Sequence, residues 1–538
     1  GQRRGFIRFD TGQIENVRGY LSYSHNSRDH WNRLGSDDRD HVDAKIVWDL
    51  DAGNHVRAAV IYNSAINSFY PNPTLAQYNN GSWASIYHSA RTSATDTAYI
   101  GYKVNPFRNA IVSLPSDFHI TDDLTYDVVP YFWYGFGSGG GVSSMSEDDG
   151  TATTAQGRSY VGTTRLTNID WNGDGVVTNG TKTLYYNPSI TKTYRPGIIN
   201  KFTYQLDDHK LVAGYWFESA YHRQTSPYQA LNGNGEIQDV FLNDSDGVRL
   251  PDGTILQRRD WKTTTTTNMV FAGDTWTMLN DTLKFDYGVK QAFVNRKMVN
   301  NVPGATPSLS TNNAVTLPNF GVNWKFLPQH QAFANVSTSF RTTPNYSLAD
   351  QFSSSTGALT NISSSNQDPE TAVTLELGHR YQGEFFATSL SLFGTQYKNR
   401  QVQTSILDPS ISASPITANL NAGSVTSYGL DFEIGTRPLF AGLRPYMSAE
   451  LLRTRLNDNL KTTNTLGGND YLPTAGKQMP RSPNFTTAWG IDYDDGHYFG
   501  RLAYKYIGRQ YSTFMNDESI HDYGQVDASL GYRFGDIA

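Results

Sequence analysis

The sequence lacks three features that would each point to a different class of protein. It contains no cysteine among 538 residues, which excludes disulfide bonds and thiol chemistry. Charged residues make up only 17% of it, against about 25% in a typical soluble domain. No apolar run approaches the roughly 18 to 20 residues that a membrane-spanning helix needs. The net charge of −6 is small for this length, so nothing indicates a nucleic-acid partner.

Aromatic residues, in contrast to charged residues, are abundant in this sequence. They account for 13% of the chain, and 33 residues are tyrosine. No linker rich in proline, serine or charge divides the sequence, so we expect residues 1–538 to form one large unit. A composition poor in charge and rich in tyrosine, without membrane helices, is typical of a transmembrane β-barrel.

Apolar and polar residues alternate with a period of two along many segments, and residues 41–51 show the pattern clearly. One face would carry Val42, Ala44, Ile46, Trp48 and Leu50. The other face would carry His41, Asp43, Lys45, Asp49 and Asp51, and only Val47 breaks the pattern. Alternation of this kind predicts a β-strand. A face with four charged residues does not fit the core of a β-sandwich, but it fits a wet lumen.

Short corners and long polar segments alternate along the whole chain. We expect nine short corners, near residues 11–16, 51–54, 121–123, 207–209, 279–281, 328–330, 382–384, 439–442 and 494–497. We expect nine long loops, near residues 27–40, 66–96, 138–193, 225–261, 301–313, 343–368, 405–415, 457–481 and 512–522. Short turns at one rim and long loops at the other are typical of bacterial outer-membrane barrels.

This alternation predicts nineteen strands between residues 4 and 535. Bacterial single-chain barrels close with an even number of strands. Open sheet edges are not tolerated in hydrocarbon, because each unpaired backbone group costs several kcal/mol. We therefore expect further strands outside this sequence, which would close a barrel of twenty or twenty-two.

Several of the segments resemble strand motifs of TonB-dependent outer-membrane receptors, and they follow the order and spacing of that family. They are Phe-Ala-Asn-Val-Ser at 333–337, Phe-Arg-Thr-Thr-Pro at 340–344, Asn-Ala-Gly at 421–423, Gly-Leu-Asp-Phe-Glu at 429–433 and Leu-Pro-Thr-Ala-Gly-Lys at 472–477. Each motif alone is weakly specific, and their shared order carries the resemblance. It covers essentially the whole chain.

The resemblance implies an all-β, transmembrane, antiparallel barrel of 22 strands in the bacterial outer membrane. Residues 1–538 would then be a partial barrel domain, with the N-terminal plug, the first strand and the last two strands absent from the chain. The implied function is active import of a scarce solute such as a ferric siderophore. The implied partners are outer-membrane lipid and lipopolysaccharide, the TonB complex acting through the plug, and the small-molecule ligand.

Other functions share this architecture. A passive diffusion porin and an adhesion barrel remain alternatives, as does TonB-dependent import of cobalamin or an oligosaccharide. No order of serine, histidine and aspartate, no carboxylate pair and no zinc spacing stands on a rigid element. We therefore do not expect an enzyme.

Two groups of residues are candidates for ligand binding. The loop at 66–96 carries rings that could stack on a solute, namely Tyr70, Tyr78, Trp83, Tyr87 and His88. The alternative role for such rings is a membrane-interface girdle. The polar strand faces carry Arg18, Arg57 and Arg380, which could attract an anion. Their alternative role is pairing with acidic residues of the wall or plug.

One loop resembles the start of a calcium site. Asp170, Asn172 and Asp174 occupy the first, third and fifth positions of a calcium loop, and Gly175 occupies the sixth. The twelfth position is Thr181, so the closing carboxylate is missing. The two interpretations of the 170–181 loop are therefore a structural calcium site and an Asx-rich turn without a metal. We expect no other cofactor, and we interpret His25, His30 and His41 as solvated rim residues.

Overall fold

The computed structural model describes residues 1–31, 33–70, 72–365, 368–406, 416–421, 423–439, 442–463 and 469–535. Residues 407–415, 440–441 and 464–468, which belong to predicted loops and one predicted corner, lie outside this description. So does Ala422 of the motif at 421–423, and so do one or two residues of the predicted loops at 27–40, 66–96 and 343–368.

One antiparallel sheet dominates the chain. It contains twenty-one hydrogen-bonded segments, of which two form the fifth strand and Gln229–Ala230 only extends the eighth, so the wall has nineteen strands. They are β1 (Gln2–Ile14), β2 (Val17–Asp29), β3 (Ser36–Asp49), β4 (His55–Ser68), β5 (Val104–Ser113 and Ser116–His119), β6 (Leu124–Ser146), β7 (Lys182–Leu206), β8 (His209–Pro227), β9 (Gln257–Met278), β10 (Leu283–Asn300), β11 (Ser308–Leu327), β12 (His330–Arg341), β13 (Glu370–Gln382), β14 (Phe386–Lys398), β15 (Val425–Thr436), β16 (Leu443–Leu456), β17 (Phe485–Asp494), β18 (Tyr498–Ile507) and β19 (Tyr523–Tyr532).

The predicted number of strands is confirmed, and each strand pairs with its neighbours in chain order. Within the described residues, β1 pairs only with β2, and β19 pairs only with β18. The short corners that the structure describes in full lie within a residue or so of their predicted positions, except that β1 continues to Ile14 and shortens the first corner to residues 15–16. Several are closed by residues in the left-handed region, such as Asp207 (φ 49°) and Gly496 (φ 93°).

The two faces of the wall have the predicted character. The register places Ile46 beside Gly19 and Trp48 beside Val17, and these two side chains are about half exposed, at 55% and 49%. Asp43 lies on the opposite face, where it accepts a hydrogen bond from the Tyr20 hydroxyl (3.2 Å). The exception, Val47, faces the polar side and is buried between Arg18 and Arg57 in the register.

Two bands of aromatic rings border the apolar outer face. The band near the short corners includes Tyr126 stacked on Phe202, with ring centroids 4.7 Å apart. The band near the long loops joins Tyr134 to Tyr194 (5.4 Å) and Tyr194 to Tyr221 (6.2 Å). Tyr194 and Phe202 are separated by eight residue steps, which span about 26 Å along the strand. With a strand tilt of about 35–45°, the two bands are about 20 Å apart in height, which is close to the apolar belt about 25 Å tall between two aromatic girdles.

Two strands extend beyond their predicted ends. The glycine-rich segment expected as part of the loop at 138–193 instead continues β6 and β7 to 23 and 25 residues, so the loop covers only 147–181. Cross-strand pairs such as Gly140 with Pro188 continue the ladder through the glycines. Similarly, the first predicted loop shortens to residues 30–35, because β2 and β3 continue pairing up to Asp29 and Ser36.

The loops contain small elements of their own. None of the described helices is long and apolar enough to cross a membrane. The helix is α1 (Leu75–Asn79), and the short 3-10 turns are Ser82–Ser85, Ile100–Tyr102, Ala155–Gly157, Asp244–Asp246 and Asn345–Leu348. The small hairpins pair Ser159–Val161 with Thr164–Leu166, Gln351–Phe352 with Leu359–Asn361, Gln401–Ile406 with Ile416–Asn421, Leu460–Thr463 with Asn469–Leu472, and Gln510–Tyr511 with Ser519–Ile520.

Candidate ligand-binding site in the barrel lumen

The inner face of β7 to β10, the end of β12 and the segment that follows it line a cavity of about 480 Å³. Side chains on alternate positions of these strands face the same side, so the polar face predicted from the sequence forms the wall of the cavity. The lining includes cations, aromatic rings and threonines: Thr193, Arg195, Trp216, Glu218, Ala220, His222, Thr265, Thr267, Met269, Val294, Arg296, Phe340, Arg341, Thr342 and Asn345.

A connected set of hydrogen bonds fixes one side of the cavity. The Trp216 indole donates to the Tyr131 hydroxyl (2.9 Å), and Tyr131 donates to Glu218 Oε2 (2.8 Å). The Arg195 guanidinium donates to both oxygens of Glu218, at 2.9 and 3.0 Å. Glu218 is buried, at 6% exposure. This bidentate contact orients Arg195 while leaving 44% of its side chain accessible.

Arg296 ties the opposite side of the cavity to the loop that covers it. Its Nε donates to Thr265 Oγ1 (3.0 Å), and its Nη1 donates to the carbonyl oxygen of Thr343. Asp350 anchors the same loop by accepting backbone N–H groups from Ser363 and Thr306, both at 2.7 Å. Burial alone would raise the pKa of Asp350, but these hydrogen bonds outweigh it and lower that pKa.

The arrangement suits an anionic solute. Three arginines and one carboxylate line the cavity, so positive charge is in excess. Guanidinium groups bind carboxylate-like oxygens through two parallel hydrogen bonds. Trp216 adds ring surface beside the cations. The cavity therefore combines the charge and the apolar surface that a chelate with oxygen donors requires.

The structure brings together only part of the predicted loop aromatics. Tyr70 stacks on His30, with ring centroids 4.1 Å apart. The Arg33 guanidinium lies 5.3 Å from the Tyr70 ring and 4.9 Å from the Trp83 ring, so one cation joins these two residues. Tyr78 lies on α1 and is 67% exposed. The ligand-binding role proposed for these rings stays a prediction.

Tyr87 and His88 lie apart from that group, in a stretch of loop that Asp96 organises. The Lys103 ammonium lies 5.4 Å from the centre of the Tyr87 ring. Asp96 is only 8% exposed, and it accepts backbone N–H groups from Thr92 (3.0 Å) and Ala98 (2.8 Å). Its Oδ2 also lies 3.3 Å from His88 Nδ1. These backbone hydrogen bonds lower the pKa of Asp96 below its ordinary value of 3.8.

Substituting Asp96→Asn is expected to loosen residues 88–100. An amide offers one acceptor oxygen where the carboxylate offers two, so one buried N–H loses its partner. We expect hydrogen exchange in this segment to accelerate about tenfold. Because the folded pKa is lowered, the contribution of Asp96 is present at neutral pH and is lost only below 3.8. Wild-type protein should therefore keep its protection between pH 7 and pH 5, and unchanged exchange in the variant would contradict this role.

The predicted lumen arginines face the polar side as expected, but they lie in different surroundings. Arg18 forms an ion pair with Asp49, and Arg57 forms one with Asp117, both near the short corners. The Arg380 guanidinium lies 4.4 Å from the centre of the Phe333 ring, and it is also near a short corner, because β13 ends at Gln382. None of the three lines the cavity described above.

The loop at 170–181 is an Asx-rich turn in which backbone donors engage the candidate calcium ligands. Asp170 accepts from Gly173 and Gly175, both at 2.7 Å. Asn172 Oδ1 accepts from the backbone N–H of Asp174 (2.9 Å), and Asp174 Oδ1 accepts from that of Val176 (2.8 Å). Among the described residues, no group of three or more acidic or histidine side chains is arranged to hold a metal ion. Calcium binding stays a prediction.

Glu147 anchors this loop, although no pattern in the sequence indicated this role. The carboxylate is fully buried, and its Oε1 accepts backbone N–H groups from Trp171 (3.1 Å) and Asn172 (3.3 Å). Its Oε2 accepts from the backbone N–H of Thr178 (2.8 Å). One side chain therefore fixes both ends of the turn.

A second cavity, of about 420 Å³, lies among the long loops. Arg91, Trp171 and Thr183 line it, and each has one buried polar atom without a hydrogen-bond partner: Arg91 Nε, Trp171 Nε1 and Thr183 Oγ1. All three atoms can donate a hydrogen bond, and the threonine hydroxyl can also accept one. This cavity is therefore also suited to a solute that offers hydrogen-bond acceptors.

The sequence missed the residues of the lumen cavity for identifiable reasons. The threonine run at 263–267 carries no catalytic or phosphate-binding pattern. Its part in lining the cavity is visible only once β9 is paired with β8 and β10. Arg195, Glu218 and Arg296 lie on three different strands, so no local motif contains them. Their alternation with apolar residues places them in the lumen, but it does not show which of them meet.

Comparisons with known proteins agree with this architecture. Residues 47–537 match the family described as TonB dependent receptor-like, beta-barrel. Because the match covers most of the sequence, the chain belongs to the TonB-dependent receptor family. Members of this family are outer-membrane transporters and not enzymes, which confirms two expectations from the sequence at the level of the family. Among curated proteins, none matches this sequence.

Solved structures give the same fold at low sequence identity. The ferric citrate transporter FecA is 15% identical with a TM-score of 0.68, and the match covers 99% of this chain and 68% of that chain. The siderophore receptor PiuA from Acinetobacter baumannii is 13% identical with a TM-score of 0.69, covering 99% and 74%. The copper transporter OprC is 10% identical with a TM-score of 0.64, covering 100% and 72%. At these identities, the similarity shows the fold and not the solute.

Proposed function

We propose that this chain is the barrel wall of a receptor for the TonB-dependent import of an iron–siderophore complex across the bacterial outer membrane. The observation that carries the proposal is the lumen cavity, which is lined by three arginines, a single carboxylate and the indole of Trp216. The names of FecA and PiuA, which refer to ferric citrate and siderophores, support the same class of solute.

The chemistry of ferric chelates fits this cavity. Citrate and catecholate ligands surround iron with oxygen atoms, and many of these complexes carry net negative charge. Arg195, held in place by Glu218, and Arg296, held by Thr265, offer guanidinium groups whose positions are fixed before the solute binds. Preorganisation of this kind reduces the entropic cost of binding.

We assign the energy-dependent step of import to a plug and the TonB complex, and not to the barrel wall. In this proposal a plug fills the lumen, and further strands close the seam between β1 and β19. Binding would occur at the loop side, and the TonB complex would act on the plug. The wall itself contributes a polar lining, the anion-binding cavity and the loops that capture the solute.

Removing the arginines is expected to weaken binding of anionic chelates. Substituting Arg296→Gln or Arg341→Gln should each lower the affinity for ferric citrate or a ferric tris-catecholate about tenfold or more, because each removes a charge-assisted hydrogen bond. A matched control is Arg501→Gln, which removes a lumen cation from β18, away from the cavity. Binding of radiolabelled ferric complexes to purified receptor measures the effect. Equal affinities in all three variants would contradict the proposed site.

The same probes separate the alternative solutes. A receptor that binds cobalamin or a neutral oligosaccharide, but no ferric chelate, would replace the iron proposal while keeping the family. A passive porin would show a large, steady ion conductance in lipid bilayers, whereas a plugged receptor should show little.

A further inference from the structure

Two histidine side chains meet on the outer face of the wall, near the short corners. His330 begins β12, and His379 lies three residues before the end of β13. The register places Tyr381 beside His330, so His379, two positions earlier on β13, is a diagonal neighbour of His330. His330 Nδ1 lies 3.1 Å from His379 Nε2. The two residues are 49 positions apart in the chain, so only the strand register brings them together.

Strand alternation directs this pair away from the lumen. Leu375 and Leu377 share a face of β13 with His379, and both leucines are exposed, as the membrane-facing side requires. Glu376 and Arg380 alternate with them and face the lumen. The two histidines are half-buried. The pair is therefore outside the lumen and apart from the cavity described above.

Aromatic rings surround the pair and belong to the band near the short corners. The Phe326 ring centroid is 5.8 Å from that of His330 and 6.1 Å from that of His379. The Tyr381 ring centroid is 4.8 Å from that of His330. Aromatic girdles lie at the boundary between hydrocarbon and water. The pair is therefore at a level of the wall that water and dissolved ions reach.

The distance between the two ring nitrogens suits two ligands of one metal ion. Imidazole nitrogens bind ions such as Zn²⁺ at about 2.0–2.1 Å. Two such nitrogens in square-planar or tetrahedral geometry are about 2.8–3.4 Å apart, a range that includes the 3.1 Å observed. A hydrogen bond between two imidazoles uses one N–H group and one lone pair. A metal ion in place of the shared proton would use the lone pairs of both nitrogens.

We propose that His330 and His379 together bind one divalent transition-metal ion, such as Cu²⁺ or Ni²⁺. Imidazole nitrogen is a favourable ligand for these ions, and Cu²⁺ binds such sites most tightly among the first-row divalent metals. Two protein ligands leave further coordination positions for water. Ca²⁺ and Mg²⁺ prefer oxygen ligands, so they do not fit this site. The site is independent of the imported solute, so this proposal and the proposed function can fail separately.

The test titrates Cu²⁺ into the purified full chain, in detergent and without a polyhistidine tag, by isothermal titration calorimetry. Wild-type protein should bind one Cu²⁺ ion at least about tenfold more tightly than H330Q or H379Q does, because the second imidazole binds intramolecularly once the first holds the ion. Each single variant should resemble the double variant H330Q/H379Q. Electron paramagnetic resonance of the wild type with one Cu²⁺ bound should show two imidazole nitrogens as ligands, and this measurement needs no variant.

A matched control removes a histidine from another short corner. His497 lies between β17 and β18, and its ring centroid is 6.4 Å from that of Tyr532. H497Q should keep the wild-type affinity, and an excess of Mg²⁺ should not displace the Cu²⁺. Heat-modifiable mobility on gels verifies that each variant is folded. The proposal is wrong if H330Q/H379Q keeps the tightly bound ion, if H497Q loses it equally, or if the resonance spectrum shows fewer than two imidazole ligands.

Discussion

Replacing Val270 with arginine is expected to destabilise the barrel in a lipid bilayer by about 2–4 kcal/mol. Val270 faces outward on β9 and is 50% exposed. It lies six residues from Trp276, which is in the aromatic band near the short corners. It also lies six residues from Thr264, which pairs with Tyr221 in the aromatic band near the long loops. An arginine here would therefore be near the middle of the apolar belt, where a charge is most costly.

The matched control for this substitution is Val212→Arg, on the neighbouring strand β8. Val212 pairs with Gly273, so it faces the wet lumen, where a guanidinium can stay hydrated. Unfolding in urea, followed in lipid vesicles by tryptophan fluorescence, gives the free energy of both variants. Similar losses for Val270→Arg and Val212→Arg would contradict the assignment of the two faces. That assignment supports every conclusion about the lumen and the outer wall.

Replacing Glu147 with alanine is expected to open the loop at 147–181. Three backbone N–H groups, those of Trp171, Asn172 and Thr178, would lose their acceptor. A hydrogen bond to a charged group contributes about 1.5–3 kcal/mol, so the local loss should reach about 3 kcal/mol or more. Hydrogen exchange of residues 168–181 and limited proteolysis would both report this opening.

The neighbouring substitution Asp149→Asn serves as the control, because Asp149 is exposed and contacts only Thr151 and Asn179 among the described residues. We expect little change from it. If Glu147→Ala leaves exchange at wild-type rates while the barrel remains folded, Glu147 is not the anchor of the loop. The Glu147→Gln variant should lie between the two, since an amide keeps one acceptor oxygen.

The wall of this protein could be predicted from the sequence because strand alternation is a local property. Once Val42, Ile46 and Trp48 are assigned to one face, chain geometry alone sends Asp43 and Lys45 to the other. Corners are equally local, since turn residues such as Asp207 or Gly496 determine them over three or four positions. The number of strands and the direction of each then follow by simple alternation.

The strand ends were less predictable. Residues 137–141, Gly-Ser-Gly-Gly-Gly, have low strand propensity, and the sequence indicated a loop from residue 138 onward. In the structure, pairing with residues 187–191 overrides that preference, because an unbroken ladder satisfies the backbone of both strands. Pairing between β2 and β3 shortened the first predicted loop in the same way. A partner strand that is distant in the chain thus decided where each strand ends.

The sequence by itself determined the architecture: an antiparallel wall, apolar outside and polar inside, with short corners at one rim and long loops at the other. Only the tertiary structure decided which polar residues meet. Arg195, Glu218 and Arg296 line one cavity, because strand register aligns positions far apart in the chain. Alternation fixes the face on which a side chain lies, but the register between strands fixes its neighbours.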